Sequence, residues 1–290
     1  MLKVITTYKF RKTKNLEKLR EDIREFCKSR GILGRILIGG EGINAGFSGE
    51  LEKVEEFKKF LEKTFGKLTY RELEANLSPY DKLQVRVRKE IVVFGVKVNP
   101  KKTGKYISPK KFKKMLDKKE DIVIIDARND YESAIGKFEG AIIPDINTFK
   151  EFPDWIKKQN HLKNKKIITY CTGGIRCEKA TAYMKEIGFK DVSQIKGGVI
   201  SFCQEYPESY WKGSLFVFDN RLTADMKSQE AIAECKLCKK PTQHSTNCSN
   251  VECNIIYSCC KDCLEKFDNC CSVKCVEAER HRELPNVFNF

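Results

Sequence analysis

The 290-residue sequence predicts an α/β protein of several domains. Its expected parts are a small α+β sandwich over 1–98, a linker over 99–107, a mostly parallel α/β sheet over 108–212, and a connector with a cysteine-rich segment over 213–290. Three observations carry this reading. Strand-length apolar runs alternate with amphipathic helical spacing in the first two blocks. Residues 99–107 hold Pro100, Gly104 and three lysines, the composition of a linker. Ten of the 14 cysteines fall between Cys235 and Cys275.

In the first block, residues 4–10 read as a strand. Asn15 stands where a cap precedes a helix, with Leu16, Leu19, Ile23 and Phe26 on one face. Residues 35–38 form a second strand, and a glycine-rich turn over 39–46 leads into a third at Phe47. Leu51, Val54, Phe57, Leu61 and Phe65 mark a second helix, and 68–73 a fourth strand. Residues 83–96 alternate, with Val85 and Val87 on one side and Arg86 and Arg88 on the other. The order βαββαβ is that of a ferredoxin-like or acylphosphatase-like sandwich, a fold that names no ligand. The glycine turn fits a tight hairpin or a backbone platform beside a phosphate. Lys82, Arg86 and Arg88, with Lys89 at the edge, put cations on one face. With Tyr80 and Tyr70 near, that face suits an RNA backbone and a stacked base, or it is simply solvated.

In the second block, Ser108 caps a helix that has Pro109 at its first position and runs through Phe112, Met115 and Leu116. Residues 122–125 read as a buried strand ending in Asp126-Ala127-Arg128. A turn over 136–141 precedes Ile142-Ile143-Pro144, and 152–155 opens another helix. Residues 167–170 are a further buried strand. Ala180, Tyr183, Met184 and Ile187 recur at helical spacing, residues 192–195 form a strand, and Gly197-Gly198 follows. A parallel sheet carries its site beyond the carboxyl ends of its strands, where Asp126, Cys171 and Gly197 all fall.

The segment Cys171-Thr172-Gly173-Gly174-Ile175-Arg176-Cys177 sits at such a strand-to-helix turn. Gly173 and Gly174 let the loop curl around the sulfur, so that Thr172 to Ile175 supply inward N–H groups. The helix dipole and Arg176 add positive potential, and together these favour thiolate, the reactive form. Four residues separate Cys171 from Arg176. Cysteine phosphatases of similar architecture enclose five and cradle a phosphate, whereas the smaller ring suits a persulfide. This C-x4-R loop resembles the active-site loop of the rhodanese superfamily. The resemblance extends over about 106–212, through Asp126 and Arg128, the Gly136–Ala141 turn and the Gly197-Gly198 pair. It implies that Asp126, Arg128, Gly197 and Gly198 brace the loop, with direct contact to substrate as the alternative for Asp126 and Arg128. Cys177 is either a small helix-start residue or a second thiol that resolves a Cys171 persulfide or disulfide. Glu132 reads as a surface carboxylate, and Cys27 and Cys203 as buried apolar residues.

Along the chain, Gly-Gly-Glu-Gly-Ile-Asn, Cys171 to Lys179, and Trp-Lys-Gly-x-x-Phe-Val-Phe-Asp-x-Arg from Trp211 resemble one group. That group is the bacterial tRNA uridine hydroxylases of the rhodanese superfamily. The resemblance implies oxygen-dependent conversion of the tRNA wobble uridine to 5-hydroxyuridine, with molecular oxygen as co-substrate and tRNA as partner. No flavin or nucleotide motif is seen. A sulfurtransferase passing persulfide sulfur from Cys171, supplied by a donor protein, is the alternative. A non-enzymatic zinc and RNA module would leave the intact loop unexplained.

The cysteine density, in a chain that starts without a secretory pattern, points to zinc held in a reducing cytoplasm rather than to disulfides. Cys235, Cys238, Cys259 and Cys263 are assigned to one site, and Cys248, Cys253, Cys270 and Cys275 to another, with Cys260 and Cys271 as interchangeable candidates. The apolar runs are too short to span a bilayer. The net charge of +15 lies wholly within residues 1–120, which hold 31 Lys and Arg against 16 Asp and Glu. Such asymmetry suits a polyanion such as nucleic acid, or plain lysine-rich solvation.

Overall fold

The computed structural model describes residues 2–224 and 231–283. Residues 225–230 of the connector and 284–286 of the tail lie outside them. The chain divides into two compact units, one ending at Gly95 and the other beginning at Val96.

The first unit contains β1 (Leu2–Phe10), α1 (Leu16–Lys28), β2 (Leu33–Gly39), β3 (Gly42–Gly49), α2 (Leu51–Phe65), β4 (Tyr70–Ala75) and β5 (Leu83–Val87). They build one sheet in the order β4-β1-β3-β2-β5, antiparallel except that β5 runs parallel to β2. Four of these strands and the two helices make the sandwich that the element order predicts. The helices bury Leu19, Ile23, Val54, Phe57 and Leu61 against Ile36, Ile43, Phe47 and Val85 of the sheet. Each such side chain contributes roughly 1.5–3 kcal/mol by removing apolar surface from water. Asn15 does not cap α1 with its side chain: it is left-handed, at φ 53°. The glycine-rich turn is the tight β2–β3 hairpin. A Cβ on Gly42, at φ +144°, would lie 1.9 Å from the Lys9 carbonyl oxygen, so only glycine fits there.

Lys82, Arg86, Arg88 and Lys89 are all exposed, at or near the β5 edge. The tyrosines expected beside them are not available there. Tyr80 is buried. Tyr70 lies on β4, the opposite edge of the sheet, and its hydroxyl donates to the Lys58 carbonyl at 3.1 Å.

The second unit opens with β6 (Lys105–Ile107), α3 (Pro109–Asp117), β7 (Val123–Asp126), α4 (Asp130–Ile135), β8 (Gly136–Phe138) and α5 (Phe152–Lys157). It continues with β9 (Lys166–Tyr170), α6 (Ile175–Glu186), β10 (Asp191–Ile195) and α7 (Gly198–Glu205). Its sheet is parallel throughout, in the order β6-β10-β9-β7. The expected linker thus supplies the edge strand β6, a piece of three residues whose polar outer face hides any strand period. Ser108 caps α3 as expected, its hydroxyl accepting from the Lys111 N–H at 3.2 Å. Phe138 is the hub of the core, edge-on to Tyr170, Phe202, Trp211 and Phe112 at centroid distances of 4.8–5.3 Å.

The connector is built into this unit. β11 (Trp211–Gly213) pairs antiparallel with β8, and β12 (Leu215–Phe216) forms a hairpin with β13 (Thr223–Ala224). The cysteine-rich part has the short ladders β14 (Ala233–Glu234) with β15 (Pro241–Thr242) and β16 (Ser245–Asn247) with β17 (Ile256–Ser258), then α8 (Lys261–Lys266) and α9 (Val273–Val276). Ala233 and Ile256 pack with Ile135 and Phe216, which sets this part against α4 and β12. Among the described residues, no helix is long and apolar enough to cross a membrane.

Candidate active site and cysteine clusters

Cys171 follows β9, and α6 begins at Ile175 after Gly174, which is left-handed at φ 101°. The Gly174 N–H donates to the Cys171 sulfur at 3.1 Å. The amides of Arg176 and Cys177 also point at that sulfur, and the Cys177 thiol donates to it. The loop carbonyls turn the other way. The N–H groups of Val199 and Ile200, at the start of α7, bond to the Cys171 and Thr172 oxygens at 3.0 and 3.1 Å. Gly198 makes this approach possible: at φ +67°, a Cβ there would sit 2.4 Å from the Cys171 oxygen. The turn is therefore polarised, with N–H groups toward sulfur and carbonyls toward the α7 N-terminus.

Cys171 is fully buried, while Gly173 and Ile175 of the same loop are half-buried. A Cβ on Gly173 would meet open space. Burial alone would raise the Cys171 thiol. The hydrogen bond from Cys177, the charge of Arg176 and the amides of Cys177 and Arg176 outweigh it and bring the thiol down to about 5. Cys177 moves the other way, pushed well up by burial and then by its bond to Cys171. Of the pair, Cys171 carries the negative charge.

Glu132 is not at the surface. It is fully buried and forms a two-pronged ion pair with Arg176, through Nη1–Oε1 and through Nη2–Oε2 at 2.7 Å. It also accepts the Thr172 hydroxyl at 3.2 Å and the Asn129 N–H at 3.1 Å. The signal was present in the sequence: Asn129-x2-Glu132 is a capping box at the start of α4. That box turns the carboxylate inward, where it fixes Arg176 against the loop.

Asp126 and Arg128 form a second buried pair, at 2.9 Å and 2.6 Å. Arg128 also donates to the Gly136 carbonyl at 2.6 Å and the Glu132 carbonyl at 3.3 Å, and Ser133 donates to Asp126 at 2.7 Å. These bonds tie both ends of α4 to the end of β7. Cys27 and Cys203 are buried and pushed up to about 12 by desolvation, so they stay neutral.

Two groups of four cysteine sulfurs each lie within 4.8 Å of one another: Cys235, Cys238, Cys260 and Cys263, and Cys248, Cys253, Cys271 and Cys275. Cys260 and Cys271 thus take the places assigned to Cys259 and Cys270. Cys260 is the N-cap of α8, three residues before Cys263, so the two thiols meet across one helical turn. The sulfur of Cys259, its neighbour in the chain, lies outside the group of four and meets the Cys260 carbonyl at 3.5 Å. The Cys270 sulfur is engaged by the Ser249 hydroxyl at 3.0 Å and the Cys275 carbonyl at 3.2 Å. Spacing alone could have favoured Cys260, since Cys260-x2-Cys263 repeats Cys235-x2-Cys238.

Three family models match in chain order. They are the UPF0176 acylphosphatase-like domain over residues 2–91, the rhodanese-like domain over 108–205 and the rhodanese C-terminal model over 212–276. Curated relatives align over nearly their whole length. A Staphylococcus aureus protein named tRNA uridine(34) hydroxylase is 39% identical over 96% of this chain and 91% of its own length. Proteins of the same name from Staphylococcus haemolyticus and Bacillus mycoides are also 39% identical, over 97% of this chain and 90% and 91% of theirs. With all three blocks matched and nearly the whole length aligned, the chain belongs to the tRNA uridine(34) hydroxylase family of rhodanese-domain proteins.

Proposed function

We propose that this protein hydroxylates the uridine at position 34 of tRNA to 5-hydroxyuridine, with molecular oxygen as co-substrate and Cys171 as the catalytic residue. The observation that carries the reading is the acidic, amide-cradled Cys171 sulfur in a chain whose relatives are named for that reaction. A thiolate adds readily to C6 of a uracil ring. The S–C6 bond forms and the ring's electron pair moves onto C5 and O4. C5 then takes one atom of dioxygen, and the other leaves as water with two electrons from a reductant such as a small thiol and two protons from solvent. Loss of the C5 proton with cleavage of the S–C6 bond restores the ring and the Cys171 thiolate. Arg176, held by Glu132, keeps the sulfur anionic between turnovers. Cys177 serves as its hydrogen-bond donor, and Asp126, Arg128, Gly197 and Gly198 hold the loop in shape.

The cysteine clusters are suited to zinc. Four sulfurs at about 2.3 Å from a tetrahedral ion stand about 3.8 Å apart. The Cys238–Cys260, Cys253–Cys271 and Cys271–Cys275 sulfurs stand 3.6, 3.7 and 3.7 Å apart. Each ion would be structural, since four protein ligands leave no open position.

For tRNA, the positive surplus supports two faces. Residues 1–95 hold 21 Lys and Arg against 14 acids, and 96–120 hold 10 against 2. The denser stretch therefore belongs to the unit that carries Cys171. Lys110, Lys111 and Lys114 are exposed along α3, which starts at the same carboxyl end of the parallel strands as the Cys171 loop. Lys82, Arg86, Arg88 and Lys89 form the other face.

The C-x4-R loop keeps a sulfurtransferase as second reading. Mass spectrometry of tRNA nucleosides from cells lacking the protein, complemented with wild type or Cys171→Ser, separates them. We expect 5-hydroxyuridine-type nucleosides to return with wild type and not with Cys171→Ser. Loss of a thiolated nucleoside alone would favour sulfur transfer, and no nucleoside change would refute both.

A further inference from the structure

We propose that Phe218 is the stacking platform for the pyrimidine ring of the substrate nucleotide, a role that rests on the functional reading above. Phe218 is 48% exposed, whereas Phe112, Phe138, Phe202 and Phe216 of the same unit are buried. Its ring lies 5.3 Å from the Arg176 guanidinium carbon, so the exposed aromatic stands beside the loop that holds Cys171. That guanidinium is itself buried and pinned by Glu132, so the ring rests on a fixed support.

Phe218 is also held from behind. Buried Phe216 meets it edge-on at 5.2 Å, and Tyr131 of α4 meets Phe216 at 5.2 Å. The turn between β12 and β13 that presents Phe218 is braced. Asp219 accepts two bonds from the Arg221 guanidinium at 2.9 and 2.6 Å and one from its N–H at 3.1 Å. The Val217 N–H closes the turn on the Leu222 carbonyl at 2.9 Å. A rigid, half-exposed aromatic ring beside the arginine of the Cys171 loop, with open space at Gly173 of that loop, suits a flat base taken out of its stack.

The test is a binding cycle on an anticodon stem-loop RNA carrying either uridine or an abasic residue at position 34, with wild type, Phe218→Ala and Phe218→Trp. Stacking of one base changes affinity by roughly 10-fold or more. Wild type and Phe218→Trp should prefer the uridine RNA by about that factor, and Phe218→Ala should bind both RNAs alike. The alkylation profile of Cys171 should stay unchanged in Phe218→Ala, showing that the loop is intact. A Phe218→Ala protein that still prefers uridine as strongly as wild type overturns the platform alone. A wild-type protein indifferent to the base overturns the platform and the reading on which it rests.

Discussion

Cys171 has no exposed surface, and burial would ordinarily keep a thiol neutral, as it does for Cys27 and Cys203. What separates it from those two is its surroundings: oriented amides and a neighbouring thiol that donate to the sulfur, and the positive charge of Arg176 close by. Arg176 can stay in that interior because Glu132 neutralises it. Removing one partner of a buried pair leaves an uncompensated charge, at a cost of about 3–5 kcal/mol. Glu132→Ala should therefore lower stability by about that much in a urea titration. Asp117→Ala, which breaks only exposed bonds from Lys113 and the Tyr210 hydroxyl, should barely move the midpoint. Equal shifts for the two variants would contradict the role given to Glu132. The Glu132 position also shows a limit of sequence reading: the capping box was visible, but the buried cation 44 positions away was not.

At the scale of elements, the strand–loop–helix unit was legible because its period, glycines and arginine coincide in one stretch of chain. β6 was not, since three residues on a sheet edge carry no period and Lys105, with the lysines just before it, resembles a linker. The cysteine pairs were half legible. Ligand count and density were plain, while the choice between adjacent cysteines depends on which side of an extended chain faces the partner thiols. The geometry predicts that Cys260→Ser and Cys271→Ser each reduce bound zinc from about two ions per chain to about one. Cys259→Ser and Cys270→Ser should retain both. Atomic emission on protein purified without chelator checks this. A zinc ion missing from Cys259→Ser but present in Cys260→Ser would reverse the assignment.

For the whole molecule, composition located the charge surplus in residues 1–120, and the fold divides it between two units, with the denser part in the one that carries Cys171. A count along the chain cannot see that boundary. Each cation withdrawn from a phosphate should reduce the salt dependence of RNA binding by about 0.7–0.9 in the log–log slope. Replacing Lys110, Lys111 and Lys114 by Ala should thus flatten the slope for tRNA by about 2, and replacing Arg86 and Arg88 by about 1.5. An unchanged slope in either variant removes that face from the interface. The order of the three blocks, by contrast, was readable from the sequence, because each keeps its own period or ligand spacing over a long stretch.

The ionised state of Cys171 is tested most directly by its alkylation with iodoacetamide across pH, read by peptide mass spectrometry. The rate follows the thiolate fraction, so a thiol lowered to about 5 reacts at its full rate by pH 7 and falls to half near pH 5. Cys27, pushed up to about 12, should stay unlabelled throughout that range. A Cys171 midpoint near the ordinary thiol value of about 8.5 would contradict the anionic sulfur, and no labelling at any pH at which the protein is folded would contradict a sulfur that a reactant can reach.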